Sequence, residues 1–174
     1  RALRDARDAG RDLVGAGHLR RRPGDLGLRE GRSSPPELDG HQMKRVLYLR
    51  PETKLGDMVI SLPVIDRFRE HFPGVEIHAF ASPRNVGIIK GDPRFDMVHL
   101  YRKRPLEIVR ELRKVRRITY DCVLDLLCDD SVTALFMSQW GAPGAWRVAV
   151  GKQRYAKFYD FNFYTSLDDS RHII

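Results

Sequence analysis

The chain has 174 residues, and 42% of them are apolar, enough for the core of one ordinary domain. Its formal charge of +8 points to a polyanionic partner, be it nucleic acid, a phosphorylated glycan or an anionic membrane surface, and charge alone does not choose among these. No apolar run approaches the roughly 18 residues of a membrane span, and no secretory h-region is present, which predicts a soluble, cytoplasmic protein.

Residues 1–42 are dominated by Arg, Asp, Gly, Ala and Pro, lack aromatics and hold no sustained period. They are expected to be disordered, apart from a short amphipathic helix between Leu3 and Leu13. Met43 stands directly before the first strand pattern. It is expected to be the true start, with 1–42 a leader or translated upstream sequence.

From Met43 the pattern alternates. VLYL (Val46 to Leu49) reads as a buried strand, and Asp57 to His71 as a helix with Met58, Leu62, Ile65 and Phe68 near one face, stopped by the Phe72-Pro73-Gly74 sequence. EIHAFAS (76–82) and DMVHLY (96–101) read as strands, with a short helical piece through Ile89 between them. Pro105 opens a helix carrying Leu106, Val109, Leu112 and Val115. CVLDLL (122–127) is a fourth strand, 131–140 a further helix, and WRVAV (146–150) a fifth strand. Such alternation predicts an α/β fold, a Rossmann-like parallel sheet with helices on both faces. From Gly151 the pattern becomes aromatic and basic and the alternation fails. Cys122 and Cys128 would lie about 20 Å apart along an extended strand and are expected to be unbridged thiols.

Several standard sites are absent from the sequence: no G-x-G-x-x-G follows the first strand, and there is no Walker A, H-E-x-x-H or C-x-x-C pattern. The scattered histidines read as satisfied or solvated rather than as metal ligands. What stands out is KLGDMVISLP (54–63), where a carboxylate follows the first strand at the sheet edge that binds ligands in open α/β folds. Two readings of Asp57 stand side by side. It supports the helix N-terminus, or it accepts a proton from a substrate hydroxyl. Gly56 is expected to take a positive φ or to let a ligand approach the backbone, and Pro63 to distort the helix. A second feature follows the third strand, where Arg102, Lys103 and Arg104 offer cations to phosphate or carboxylate groups. Arg50 and Lys54 flank Asp57 in the same way, whereas the cations of RELRKVRR (110–117) read as a solvated helix face.

Taken together, VLYLRPETKLGDMVISLPVIDRFREHFPGVEIHAFASP and the later YDCVLDL resemble the opening half of glycosyltransferase family 9, the lipopolysaccharide heptosyltransferases. The likeness lies in the joint order of L-G-D, S-L-P, F-P and Y-D-x-V-x-D. It implies the N-terminal, acceptor-binding domain of a GT-B enzyme over 43–165, with 166–174 the start of a connection toward a missing C-terminal donor domain. The implied reaction is inverting, metal-independent transfer of heptose from ADP-heptose to the lipopolysaccharide inner core, with no cofactor beyond the nucleotide-sugar donor. By the same resemblance Asp57 is the general base and Lys54, Gly56, Arg102, Lys103 and Arg104 meet the anionic acceptor. Peripheral contact with the inner membrane of a Gram-negative bacterium is implied as well, no nucleic acid is expected, and the fragment alone is expected to be inactive. The PETK loop is one residue longer than the common family form, and the DLLCDD run lacks a glycine often found there. Two other readings remain: a non-catalytic basic module that binds polyanions, and a related transferase using another sugar nucleotide.

Overall fold

A computed structural model describes residues 30–31 and 43–163. The expected leader helix, the start at Met43 as against an upstream leader, and the connection over 166–174 concern residues that lie mostly outside these. The described residues form a six-stranded, wholly parallel sheet: β1 (Arg45–Arg50), β2 (Glu76–Ala81), β3 (Met97–Leu100), β4 (Cys122–Asp125), β5 (Trp146–Val150) and β6 (Phe161–Phe163). Their spatial order is β3-β2-β1-β4-β5-β6, so the chain reverses its direction of winding between β1 and β4. Four helices connect them: α1 (Leu55–His71), α2 (Val86–Ile89), α3 (Pro105–Arg116) and α4 (Val132–Gly141).

The two faces of the sheet are sorted by the period of two along each strand. Val46 and Tyr48 of β1, with Ile77 and Ala79 of β2, face Met58, Leu62 and Ile65 of α1 and Ile89 of α2. The alternate residues Leu47, Leu49, Phe80 and Val123 face Leu112 and Val115 of α3 and Met137 of α4. Each such side chain taken fully out of water contributes about 1.5–3 kcal/mol, so both helix layers are held by apolar burial. Within the second layer α4 approaches α3 at Gly141, where an added Cβ would lie 3.4 Å from Val115 and 3.5 Å from Leu112. Helix ends follow local chemistry: Pro105 takes the first helical position of α3, and the Ser131 hydroxyl accepts the Ala134 N–H at 3.2 Å to start α4. Past α1, Gly74 adopts φ +81° and turns the chain into β2.

Four expectations need correction. The helix expected from Asp57 begins two residues earlier, at Leu55. It also runs unbroken through Pro63, because Pro63 and Val59, whose carbonyl loses its partner there, both lie on the exposed side, where water serves instead. Gly56 is an ordinary helical residue; it is not among the positive-φ glycines, and a Cβ there would meet nothing within 4 Å. Finally, the tail does not lose the fold at Gly151: Phe161–Phe163 add a sixth parallel strand beside β5, reached through a 3-10 turn at Ala156–Phe158.

The two described residues of the N-terminal stretch are also engaged. Gly31 donates its N–H to the Lys157 carbonyl at 2.8 Å, and Arg147 donates to the Glu30 carbonyl at 3.3 Å. A Cβ at position 31 would stand 2.0 Å from the Tyr159 carbonyl oxygen, so only glycine fits this crossing.

Candidate active site

At the carboxyl edge of the sheet the two features singled out in the sequence lie in two neighbouring pockets. The first lies at the point where the winding reverses, between the ends of β1 and β4. It is a cleft of about 290 Å³ lined by Arg50, Asp57, Ile60, Leu126, Cys128 and Val150, among others. Open α/β sheets bind ligands at such a switch point because the two loops diverge there and leave a crevice. The second pocket, of about 460 Å³, opens beyond β1, β2 and β3, and its walls include Thr53, Ser82, Arg84, Arg102, Lys103 and Arg104.

Asp57 is the third residue of α1. Lys54, in extended conformation with φ −78° and ψ 107°, occupies the cap position and makes no side-chain cap bond. The Asp57 carboxylate accepts no free N–H of the helix among the described residues. Its one partner there is the Lys54 ammonium at 3.9 Å, and both side chains are about half exposed or more. An exposed pair of this kind is worth little, at most about 1 kcal/mol. The carboxylate therefore faces the cleft with its acceptor capacity free, in the favourable field of the helix N-terminus.

Arg50 does not reach into solvent as a gripping cation. It is 2% exposed; its Nε donates to the Tyr48 hydroxyl at 2.7 Å and its Nη1 to Glu52 at 3.0 Å. The Tyr48 hydroxyl also bonds Ser61 of α1, whose Oγ donates to the Met58 carbonyl at 2.7 Å. Asn85 closes the network by donating to the Glu52 carbonyl at 2.7 Å. Burial pushes the Glu52 carboxyl above its ordinary range while the Arg50 guanidinium pulls it back. These bonds tie the β1–α1 loop into a wall between the two pockets.

In the basic pocket, Arg102 and Arg104 share the Glu107 carboxylate at 3.6 and 3.2 Å. Arg84 and Lys103 have no carboxylate partner among the described residues, so this pocket carries positive charge in search of an anion. Arg84 was missed from the sequence. It is a single cation behind Pro83, but it follows β2 as the Arg102–Arg104 triad follows β3, and the same strand-end rule finds it.

Behind the cleft, the end of β4 is braced. Asp125 is fully buried and meets the Lys152 ammonium at 3.1 Å and the donating Tyr159 hydroxyl at 2.5 Å. Lys152, equally buried, donates further to the carbonyls of Leu127 and Asp129 at 2.7 Å each. The residue between those two carbonyls is Cys128, which lines the cleft. Cys122 and Cys128 are both free thiols. Elsewhere, His78 and His99 converge on the Tyr120 hydroxyl, at 2.9 and 3.4 Å, as satisfied core histidines. Among the described residues no three His, Cys, Asp or Glu side chains gather as a metal site would, and no helix is long and apolar enough to cross a membrane.

The strand order, with a crevice and charged loops at its reversal, defines a Rossmann-like α/β domain. No protein-family model matches the sequence, and no curated protein matches it either. Solved structures with this fold do exist. A glycosyl transferase family 9 structure from Veillonella parvula aligns over 72% of this chain with TM-score 0.53 and 18% identity. The E. coli ADP-heptose lps heptosyltransferase II aligns over 71% with TM-score 0.56 and 19% identity, and E. coli heptosyltransferase WaaC with ADP-2-deoxy-2-fluoro heptose over 72% with TM-score 0.55 and 15% identity. The chain spans between 36% and 44% of the length of these structures. At such identities the likeness establishes a shared glycosyltransferase fold.

Proposed function

We infer that this chain is the N-terminal, acceptor-binding half of a cytoplasmic, metal-independent GT-B glycosyltransferase that moves heptose from ADP-heptose to the lipopolysaccharide inner core. The observation that supports this best is the pairing of an unengaged carboxylate in the switch-point cleft with a cationic pocket next to it, on a fold shared with heptosyltransferases. The donor would be held by a second domain covering 290 Å³ of cleft around Asp57.

A sugar hydroxyl is a poor nucleophile, and a carboxylate within hydrogen-bond reach takes its proton as the new bond forms. The acceptor oxygen bonds to the anomeric carbon from the face opposite the leaving group, whose bond to that carbon breaks. The electron pair leaves with ADP, the configuration inverts, and the proton passes to Asp57. Arg84, Arg102, Lys103 and Arg104 hold the phosphate and Kdo carboxylate groups of the acceptor, fixing the hydroxyl over the wall toward Asp57. Lys54 screens the carboxylate from the like charge of the acceptor. Gly56 contributes no side chain at the cleft mouth.

The test joins this chain to a nucleotide-sugar-binding half and follows ADP release with a core oligosaccharide acceptor. Asp57→Ala is expected to lower kcat by about 10²–10⁴ with KM for the acceptor little changed. Full turnover in the variant would leave Asp57 only its charge at the helix N-terminus. Equal turnover with other nucleotide sugars would move the assignment to a related transferase, and tight, salt-sensitive binding to generic DNA without binding of the core would favour the polyanion module.

A further inference from the structure

The two free thiols stand in opposite settings. Cys122 is 2% exposed on β4, where burial pushes its thiol up to about 12. Cys128 is exposed and lines the switch-point cleft together with Asp57 and Arg50. Its backbone is clamped from both sides. The buried Lys152 ammonium binds the carbonyls of Leu127 and Asp129 at 2.7 Å each, and Asp130 accepts the N–H groups of Gln153 and Arg154 at 3.2 and 2.8 Å. Gly151, at φ +66°, lies so close to this loop that an added Cβ would stand 3.3 Å from the Cys128 carbonyl oxygen. The thiol is thereby held at the cleft wall.

A second group opens on the same space. Arg50 is 2% exposed, and its Nε and Nη1 are engaged by Tyr48 and Glu52, whereas Nη2 has no acceptor among the described residues. Among those residues the enclosed side-chain atoms without a partner are Glu52 Oε2 and Asn85 Oδ1, so Nη2 is not enclosed; it opens on the cleft that Arg50 lines. Glu52 offsets much of the guanidinium charge, but the N–H donors of Nη2 remain, and a carboxylate is the acceptor that suits them. The cleft's own carboxylate, Asp57, already has the Lys54 ammonium at 3.9 Å. Ile60, Val64, Leu126 and Val150 supply apolar walls between these groups.

We propose that Cys128 is a reversible thiolation site, at which a small disulfide bearing carboxylates, of the glutathione disulfide class, forms a mixed disulfide that fills the cleft over Asp57. Nη2 of Arg50 holds a carboxylate of the incoming disulfide. The Cys128 thiol gives its proton to solvent, and the thiolate attacks one sulfur of the disulfide. The new S–S bond forms as the old one breaks, and the electron pair leaves on the second sulfur, which takes up a proton. The Cys128 sulfur is oxidised and the departing sulfur reduced, and an excess of free thiol reverses the exchange. The modification site stands without the transferase reading; its effect on turnover rests on it.

The experiment follows thiol exchange in the full chain carrying Cys122→Ala, with three disulfides: the dianionic dithiobis(nitrobenzoate), the neutral dipyridyl disulfide and the dicationic cystamine. Each rate is divided by that of the same chain in urea, which cancels the intrinsic reactivity of the reagent. The folded-to-unfolded ratio is expected to be at least about tenfold higher for the dianion than for the neutral reagent, as one charge-assisted hydrogen bond gives, and lowest for cystamine. Inorganic phosphate, at an ionic strength matched with sodium chloride, is expected to slow the dianion and spare the neutral reagent, a readout that needs no change at Arg50. Arg50→Gln is expected to bring the two ratios together, whereas Arg116→Gln, which removes the same charge from the end of α3, leaves them apart. In the joined transferase the glutathione adduct is expected to abolish ADP release and dithiothreitol to restore it. A joined protein inactive before modification counts against the transferase reading alone, and the exchange rates still decide the site. Equal ratios for the dianion and the neutral reagent, a higher ratio for cystamine, no protection by phosphate, an equal loss with Arg116→Gln, or an adduct that leaves an active enzyme at full turnover overturns the proposal.

Discussion

Lys152→Met removes a positive charge from a position with no solvent exposure, beside a carboxylate with none. In the parent, the ammonium satisfies Asp125 at 3.1 Å and two backbone carbonyls at 2.7 Å each. Methionine fills most of the same volume but leaves the carboxylate unpaired and both carbonyls without that donor. Breaking one side of a buried pair in this way costs about 3–5 kcal/mol, a large part of the roughly 5–15 kcal/mol that holds a domain. The urea midpoint at neutral pH is the measurement. It also has a pH signature. Burial already pushes the Asp125 carboxyl up, and Lys152 is the first influence opposing it. A carboxyl raised in the folded state keeps its proton after the unfolded chain has lost it, so its stabilising contribution is present at low pH and disappears as pH rises above about 4. Removing Lys152 enlarges that loss, so the variant should recover part of its stability on acidification. Adding Asp125→Asn, which removes the charge while leaving an oxygen for Tyr159 to donate to, should restore more than half of the deficit at neutral pH. A Lys152→Met midpoint within about 1 kcal/mol of the parent, or no recovery with Asn, refutes the view that paired charge holds this end of β4.

Three further outcomes are expected. Burial, with a smaller contribution from His78, lowers the His99 pKa to about 4, while the unfolded chain titrates near 6.5. The unfolded state therefore binds the proton first, and stability falls by about 3 kcal/mol as pH drops through this window and levels off below it; His99→Gln should flatten that part of the profile measured by urea midpoints. Arg84→Ala should weaken binding of a phosphorylated core acceptor by about tenfold, corresponding to one lost charge-assisted hydrogen bond, in a calorimetric titration of this chain; unchanged affinity would remove Arg84 from the pocket's function. Gly31→Ala puts a methyl where the Tyr159 carbonyl stands, so the hydrogen bond from residue 31 to Lys157 should be lost and its amide should exchange freely, with protection in β1 and β4 unchanged.

The elements most legible in the sequence were those with a strong period. VLYL is a continuous apolar run, and CVLDLL one interrupted only by Asp125, because both faces of a parallel strand are covered; the repeating apolar positions of α1 show which side turns inward, whereas on α3 Leu106 and Val109 are exposed and Ile108, Leu112 and Val115 pack inward. Phe161–Phe163 escaped because three aromatic-rich residues give no period, and their place in the sheet rests on pairing with β5. Asp57 was visible as a carboxylate at a strand-to-helix junction, and Arg102–Arg104 as a cluster after a strand. Arg50 was misjudged as a solvent-facing cation. Tyr48 and Arg50 are two apart on β1, so the strand sends them to one side, and Glu52 of the following loop meets Arg50 there, so that their mutual bonds absorb the charge. Whether Asp57 and the arginines share one pocket could not be read from spacing, since it depends on how Asn85 pins the intervening loop.

That pinned loop has an implication for how binding preferences can diverge in descendants of this sequence. Because Arg50, Glu52 and Asn85 stand as a fixed partition, the pocket residues at 82–84 and 102–104 can be exchanged without moving the carboxylate on the other side. On the proposed function, a lineage would retarget from one acidic acceptor to another through two short surface loops, with the helix bearing Asp57 inherited intact.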